Sequence, residues 1–64
     1  MKRKEILQLA KKIAKLEMII QNSEDREEAQ RAEMEIIKLS ANIRSLADME
    51  AIDEAVQDIL AKNS

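Results

Sequence analysis

The sequence predicts an all-α fold, a small three-helix bundle made by a single helical domain over residues 1–64. Aliphatic residues recur at alternating intervals of three and four in three successive segments, which is the spacing of one face of a helix. The alternation of apolar and polar residues that is typical of a half-buried strand is found nowhere. Hydrophobic residues make up 45% of the chain and charged residues 38%, a balance typical of a globular protein rather than a disordered one.

The first helix is predicted over about residues 3–21. Its apolar stripe has the spacing three, four, three, four and consists of Ile6, Leu9, Ile13, Leu16 and Ile20. Continued in the same phase, this stripe would bury Glu27, whereas the next apolar stripe begins two residues out of phase at Ala29. The phase shift predicts a turn at about residues 21–23. The alternative is one long helix with a local irregularity.

The residues at this turn favour a break in the helix. Asn22 and Ser23 both carry side-chain oxygens that can cap the N-terminus of a new helix, and Asn22 also tolerates the left-handed conformation that ends a helix. Acidic residues follow, where the helix dipole favours each by about 0.3–1 kcal/mol. They are Glu24, Asp25, Glu27 and Glu28. The second helix is therefore predicted over about residues 24–42.

The third helix is predicted over about residues 46–62. Ser45, followed three residues later by Asp48, resembles a capping box, and Asn42 is a candidate for a left-handed residue at the end of the second helix. The third helix has one narrow apolar stripe, whereas the first two have wider apolar arcs. We therefore expect the first two helices to form an antiparallel hairpin and the third to lie along its groove. The alternative is that the additional stripes of the first two helices mediate a dimer.

The composition argues against several classes of protein. Without Cys there is no disulfide framework, and without His a structural zinc site and the usual nucleophilic pairs are excluded. Without Gly there is no phosphate-binding loop. No apolar run approaches the ~18 residues of a membrane span. We therefore expect a cytoplasmic protein that is not an enzyme, with no cofactor, metal, small-molecule substrate or membrane partner.

The first functional hypothesis is a small protein-interaction module, such as an adaptor, an inhibitor or an accessory subunit. A core of this size rarely supplies more than about 3–5 kcal/mol, so binding to another protein, or to itself as a homodimer, would add support. Ile19 lies on neither apolar stripe of the first helix and is the first candidate contact, followed by Ile37. The acidic face of the third helix is the other candidate, with Glu50, Asp53, Glu54 and Asp58.

The alternative hypothesis is an accessory protein that associates with nucleic acid or a ribonucleoprotein. Residues 1–21 carry six basic and two acidic side chains, so one helix concentrates the positive charge. The candidate phosphate contacts on that helix are Lys4, Lys11, Lys12 and Lys15. No aromatic residue is present to stack on bases. Both charged faces are also consistent with ordinary solvated surface.

Overall fold

Three α-helices form the protein in a computed structural model that describes residues 1–63. α1 spans Arg3–Asn22, α2 spans Arg26–Ala41 and α3 spans Leu46–Lys62. The all-α class and the three-helix bundle are confirmed, and every predicted helix end lies within two residues of the observed one.

The turn between α1 and α2 lies later than predicted, at residues 23–25, and uses a different cap. Asp25 is the N-cap of α2, and its Oδ1 accepts a hydrogen bond from the backbone N–H of Glu27 at 3.0 Å. The prediction that Asn22 and Ser23 cap this helix is therefore wrong. Asn22 is still part of α1, and the Oγ of Ser23 accepts from the backbone N–H of Asp25 at 3.2 Å. Asn, Asp and Ser are comparable capping residues, and Asp25 takes the role because α2 begins directly after it.

The start of α3 confirms half of the predicted capping box. Ser45 is the N-cap, and its Oγ accepts from the backbone N–H of Asp48 at 3.5 Å. The carboxylate of Asp48 does not complete the box, because its Oδ2 lies 3.4 Å from the α-amino group of Met1. This contact places the start of α3 beside the start of α1.

The end of α2 differs from the prediction in its backbone conformation. Asn42 has φ −82° and ψ −8°, so it is not left-handed. The chain leaves the helix through a tightened last turn, in which the N–H of Ile43 donates to the carbonyl of Ser40 at 3.0 Å. Because this turn satisfies the carbonyl with right-handed backbone, no left-handed residue is needed.

The core is small and centres on α1. Ala10 and Ala14 are fully buried, and their small side chains let the neighbouring helices approach α1 closely. No large side chain among residues 1–63 is completely buried. The buried residues are Ala10, Ile13, Ala14, Ala32, Ile52 and Val56.

The bundle is open on one side because α2 and α3 both pack on α1 and hardly touch each other. The third helix therefore does not lie in a groove between the first two, as the sequence had led us to expect. The Cα atoms extend over 35 × 25 × 15 Å, a flattened shape. The exposed surface is 5242 Å², whereas a folded monomer of 7.3 kDa typically exposes about 4,200 Å². The molecule as a whole thus exposes roughly 1,000 Å² more than is typical for its mass, in keeping with its flattened shape.

Candidate protein-interaction groove

Two adjoining hollows lie on the open side of the bundle. The first, of about 340 Å³, is lined by all three helices, and the second, of about 470 Å³, lies between α1 and α2. Glu17 and Ile36 line both hollows, so the two join there. We call the joined hollows the open groove. Its apolar lining consists of Ile13, Ile20, Ile36, Ile37, Ile43, Met49, Ile52 and Val56.

The floor of the open groove is a face of α1 that is apolar near the middle of the helix and carries a carboxylate one turn later. Near the middle of α1 this face contains Ala10, Ile13 and Ala14, which are all buried, and of the three only Ile13 lines a hollow. Glu17 follows at spacings of seven, four and three from them and therefore lies on the same face. A half-buried carboxylate thus occupies a position where the helical pattern favours an apolar side chain. Burying such a charge fully would be costly without a partner.

The polar lining of the open groove is mainly acidic. It includes the carboxylates of Glu17, Glu33, Glu50 and Asp53, and in the described part of the chain no Lys or Arg lines either hollow. None of the four has a basic residue three or four positions away, the spacing at which helical side chains pair. Among residues 1–63, none forms an ion pair within 4.0 Å. The open groove therefore joins an isoleucine-rich surface to four carboxylates without a basic partner.

The apolar surface continues beyond the groove onto the outer side of α2. Ile37 is 65% exposed, and Met34, one helical turn earlier, is 60% exposed. Met49 at the α3 edge of the groove is also exposed. Contiguous apolar surface of this kind, rimmed by polar residues, is typical of a protein-binding site.

The structure brings three of the candidate partner-binding residues into the open groove. Ile37, Glu50 and Asp53 line it, whereas Glu54 and Asp58 are exposed on α3 and line neither hollow. Ile19 is half-buried and lines a separate shallow hollow near the end of α1.

The four predicted phosphate-contacting residues are exposed. Helical spacing places them on the side of α1 opposite the groove-lining residues Ile13, Glu17 and Ile20. They are Lys4, Lys11, Lys12 and Lys15. The molecule therefore has a basic side on α1 and an acidic, apolar groove on its open side.

Two of the four groove carboxylates are not among the candidates that the sequence predicts. Glu17 and Glu33 each lie next to an apolar stripe, and neither has a basic residue at helical pairing distance. The absence of a basic residue at these spacings can be read from the sequence, and it indicates carboxylates without an intrahelical ion pair. It becomes informative only once the fold shows that both carboxylates line one surface.

The chain matches no family model, no curated protein and no solved structure. Within residues 1–63, no helix combines the length and the apolar character needed to cross a membrane. The same residues contain no group of three or more acidic, His or Cys side chains arranged to hold a metal ion.

Proposed function

We propose that this chain is a small, non-enzymatic protein-interaction module that docks another polypeptide in its open groove. The observation that supports this most directly is the isoleucine-rich lining of the open groove, which continues onto the exposed side chain of Met34. A standard protein–protein interface covers about 800 Å² on each partner. A partner of that size would cover the open groove and the exposed apolar surface beside it, including Met34.

The chemistry of the groove suits binding better than catalysis. Among the described residues, no polar or charged side chain is buried. Catalytic acids and bases usually depend on burial and close charge partners to tune their reactivity. The groove instead offers aliphatic contacts with a polar rim, which is the general anatomy of an interface. A cytoplasmic location remains a proposal of the same kind and rests on the composition.

Site-specific photo-crosslinking in the cells that express the chain tests this function. A photoreactive amino acid at the position of Ile37 would report on the open groove, and one at the position of Gln8, exposed on α1, is the matched control. We expect a discrete protein adduct from position 37 and none from position 8, whether the captured chain is a different protein or a second copy. No adduct at position 37, or equal adducts at both positions, would contradict the proposal.

Association with nucleic acid is the second candidate, because the four lysines of α1 are all exposed on one side of the molecule. With four phosphate contacts, the logarithm of the association constant should fall against the logarithm of salt concentration with a slope of about −3 to −4. Fluorescence anisotropy with labelled RNA and DNA at two salt concentrations measures that slope. Failure to bind either probe at low salt would remove this candidate.

A further inference from the structure

We infer that the open groove binds an amphipathic helix of a different protein, whose apolar stripe is flanked by Lys or Arg. The apolar stripe would cover the isoleucine-rich floor, and the basic side chains would meet Glu17, Glu50 and Asp53. The inference rests on the proposed function and specifies the partner of the same site.

The shape of the site fits a helix. α2 and α3 both pack on α1 and hardly touch each other, so a fourth helix can lie over α1 between them, as in a four-helix bundle. Helices pack about 8–10 Å apart, and the α2 residues that line the site run from Glu33 to Ser40, a contact length of roughly 12 Å. A guest helix would therefore touch the site over about two turns, which holds anchors at the spacing i, i+3 or i+4, and i+7.

The charge of the site favours a basic guest. Glu17 lies on the floor, Glu33 on the α2 side, and Glu50 and Asp53 on the α3 side. Because none of these carboxylates has a basic partner within the described chain, a neutral or acidic guest would desolvate them without compensation. A guest with Lys or Arg along both sides of its apolar stripe would pair with them and gain in association rate and selectivity.

A second copy of this chain fits the open groove less well. In a two-fold symmetric dimer the same surface patch meets itself, so groove-to-groove contact would bring four carboxylates of each copy into one interface. Like charges placed against each other across an interface are costly. The isoleucine surface alone would favour this dimer, and the carboxylates oppose it.

The basic side of α1 in a second copy is also a poor guest. Lys4, Lys11 and Lys15 share one face there. Of the apolar side chains beside them, Leu7 is exposed, whereas Met18 and Ile19 are half-buried. That face lacks the exposed apolar stripe that the groove requires. A head-to-tail contact of this type would also continue into open filaments unless its rotation closed a ring.

A displayed library of helical peptides tests the inference without knowledge of the natural partner. Each peptide carries a fixed apolar stripe of Leu at helical spacing, and the flanking positions vary among Lys, Glu and Gln. Selection on the wild-type chain should enrich Lys at flanking positions on both sides of the stripe. The absence of charge enrichment, or enrichment of Glu, would overturn the inference.

Two matched double variants separate the groove from the net charge of the chain. Glu50→Gln with Asp53→Asn removes two carboxylates from the groove, and Glu54→Gln with Asp58→Asn removes two from the same helix outside it. The selected basic peptide should bind the first variant about fivefold more weakly at low salt and the second within about twofold of wild type. Equal weakening in both variants would overturn the inference, because the preference would then reflect overall charge alone. Circular dichroism of both variants confirms that the helices are retained.

The outcome also separates this inference from the proposed function. If crosslinking at position 37 captures a second copy, or a guest without basic residues, the interaction module stands and the basic guest helix is overturned. If position 37 captures nothing and no library peptide binds, the proposed function fails together with the inference. A Lys-enriched peptide that loses affinity only when Glu50 and Asp53 are neutralised supports both.

Discussion

Glu17 of α1 and Ile36 of α2 lie together on the open side of the bundle, where each lines both hollows of the groove. The pair joins a half-buried carboxylate to an aliphatic side chain at the point where the hollows meet. A guest that covers Ile36 must also approach Glu17, so it has to offer apolar surface and a hydrogen-bond donor or cation close together. This relationship is the physical basis of the selectivity that we propose.

The small core predicts a strong contrast between two isoleucines. Ile52 is 3% exposed and packs in the core cluster, whereas Ile37 is 65% exposed. Ile52→Ala should lower the free energy of unfolding by about 2–4 kcal/mol, which is most of the stability of a domain of this size. Ile37→Ala should change it by less than about 0.5 kcal/mol. Urea unfolding followed by circular dichroism measures both, and similar losses would contradict the observed burial.

The cap of α2 gives a second prediction. Because the Asp25 carboxylate accepts from the N–H of Glu27, Asp25→Ala should cost about 1 kcal/mol of unfolding free energy. Asn22→Ala is the control, since Asn22 belongs to the last turn of α1 and caps nothing in α2. Thermal unfolding of both variants compares them. A larger loss for the Asn22 variant would favour the cap that the sequence alone had suggested.

The central position of α1 predicts a gradient of protection against hydrogen exchange. α1 packs on both other helices, whereas α2 and α3 each pack mainly on α1 alone. The amides around Ile13 and Ala14 should therefore exchange most slowly, and those in the first turns of α2 should open at lower free energy. Amide exchange followed by NMR measures this order. Protection in α2 equal to that in the middle of α1 would indicate a closed bundle.

The open groove predicts that one added charge blocks partner binding without unfolding the chain. Ile37→Lys places a cation in the groove, where it covers apolar surface and repels a basic guest. We expect more than about a tenfold loss of affinity for the selected peptide. Gln8→Lys is the control with the same change in net charge on the outer side of α1. Anisotropy titrations that show the same loss for both variants would place binding outside the groove.

Much of the fold could be predicted from the sequence because its apolar spacing is regular. The stripe from Ile6 to Ile20 predicts α1, and the phase shift before Ala29 predicts the turn that follows. Ser45 was correctly expected to cap α3. The cap at Asp25 was missed because Asn22, Ser23 and Asp25 are all good capping residues and only the path of the chain selects one of them.

The open side of the bundle could not be predicted in the same way. Helical spacing shows which face of α3 is apolar, but it does not show whether that face meets one helix or two. In the structure Ile52 and Val56 pack with Ile13, Ala10 and Ala14 of α1 in one core cluster. Ala10 and Ala14 let a neighbour approach α1 closely, and the groove arises because α2 and α3 approach each other at few points. The carboxylates that line the groove come from three different helices. The pattern of any single helix therefore does not predict that they lie together.

The isoleucine methyl groups offer the most direct measurement of the central claim, that the open groove is the docking surface. Six of the nine isoleucines line the groove, and three, Ile6, Ile19 and Ile59, do not. In methyl NMR spectra of the isoleucine-labelled chain, addition of the selected peptide or the crosslinked partner should shift Ile36, Ile37 and Ile43. Ile6, Ile19 and Ile59 should stay within the spread of a buffer control. Shifts confined to those three would contradict the claim.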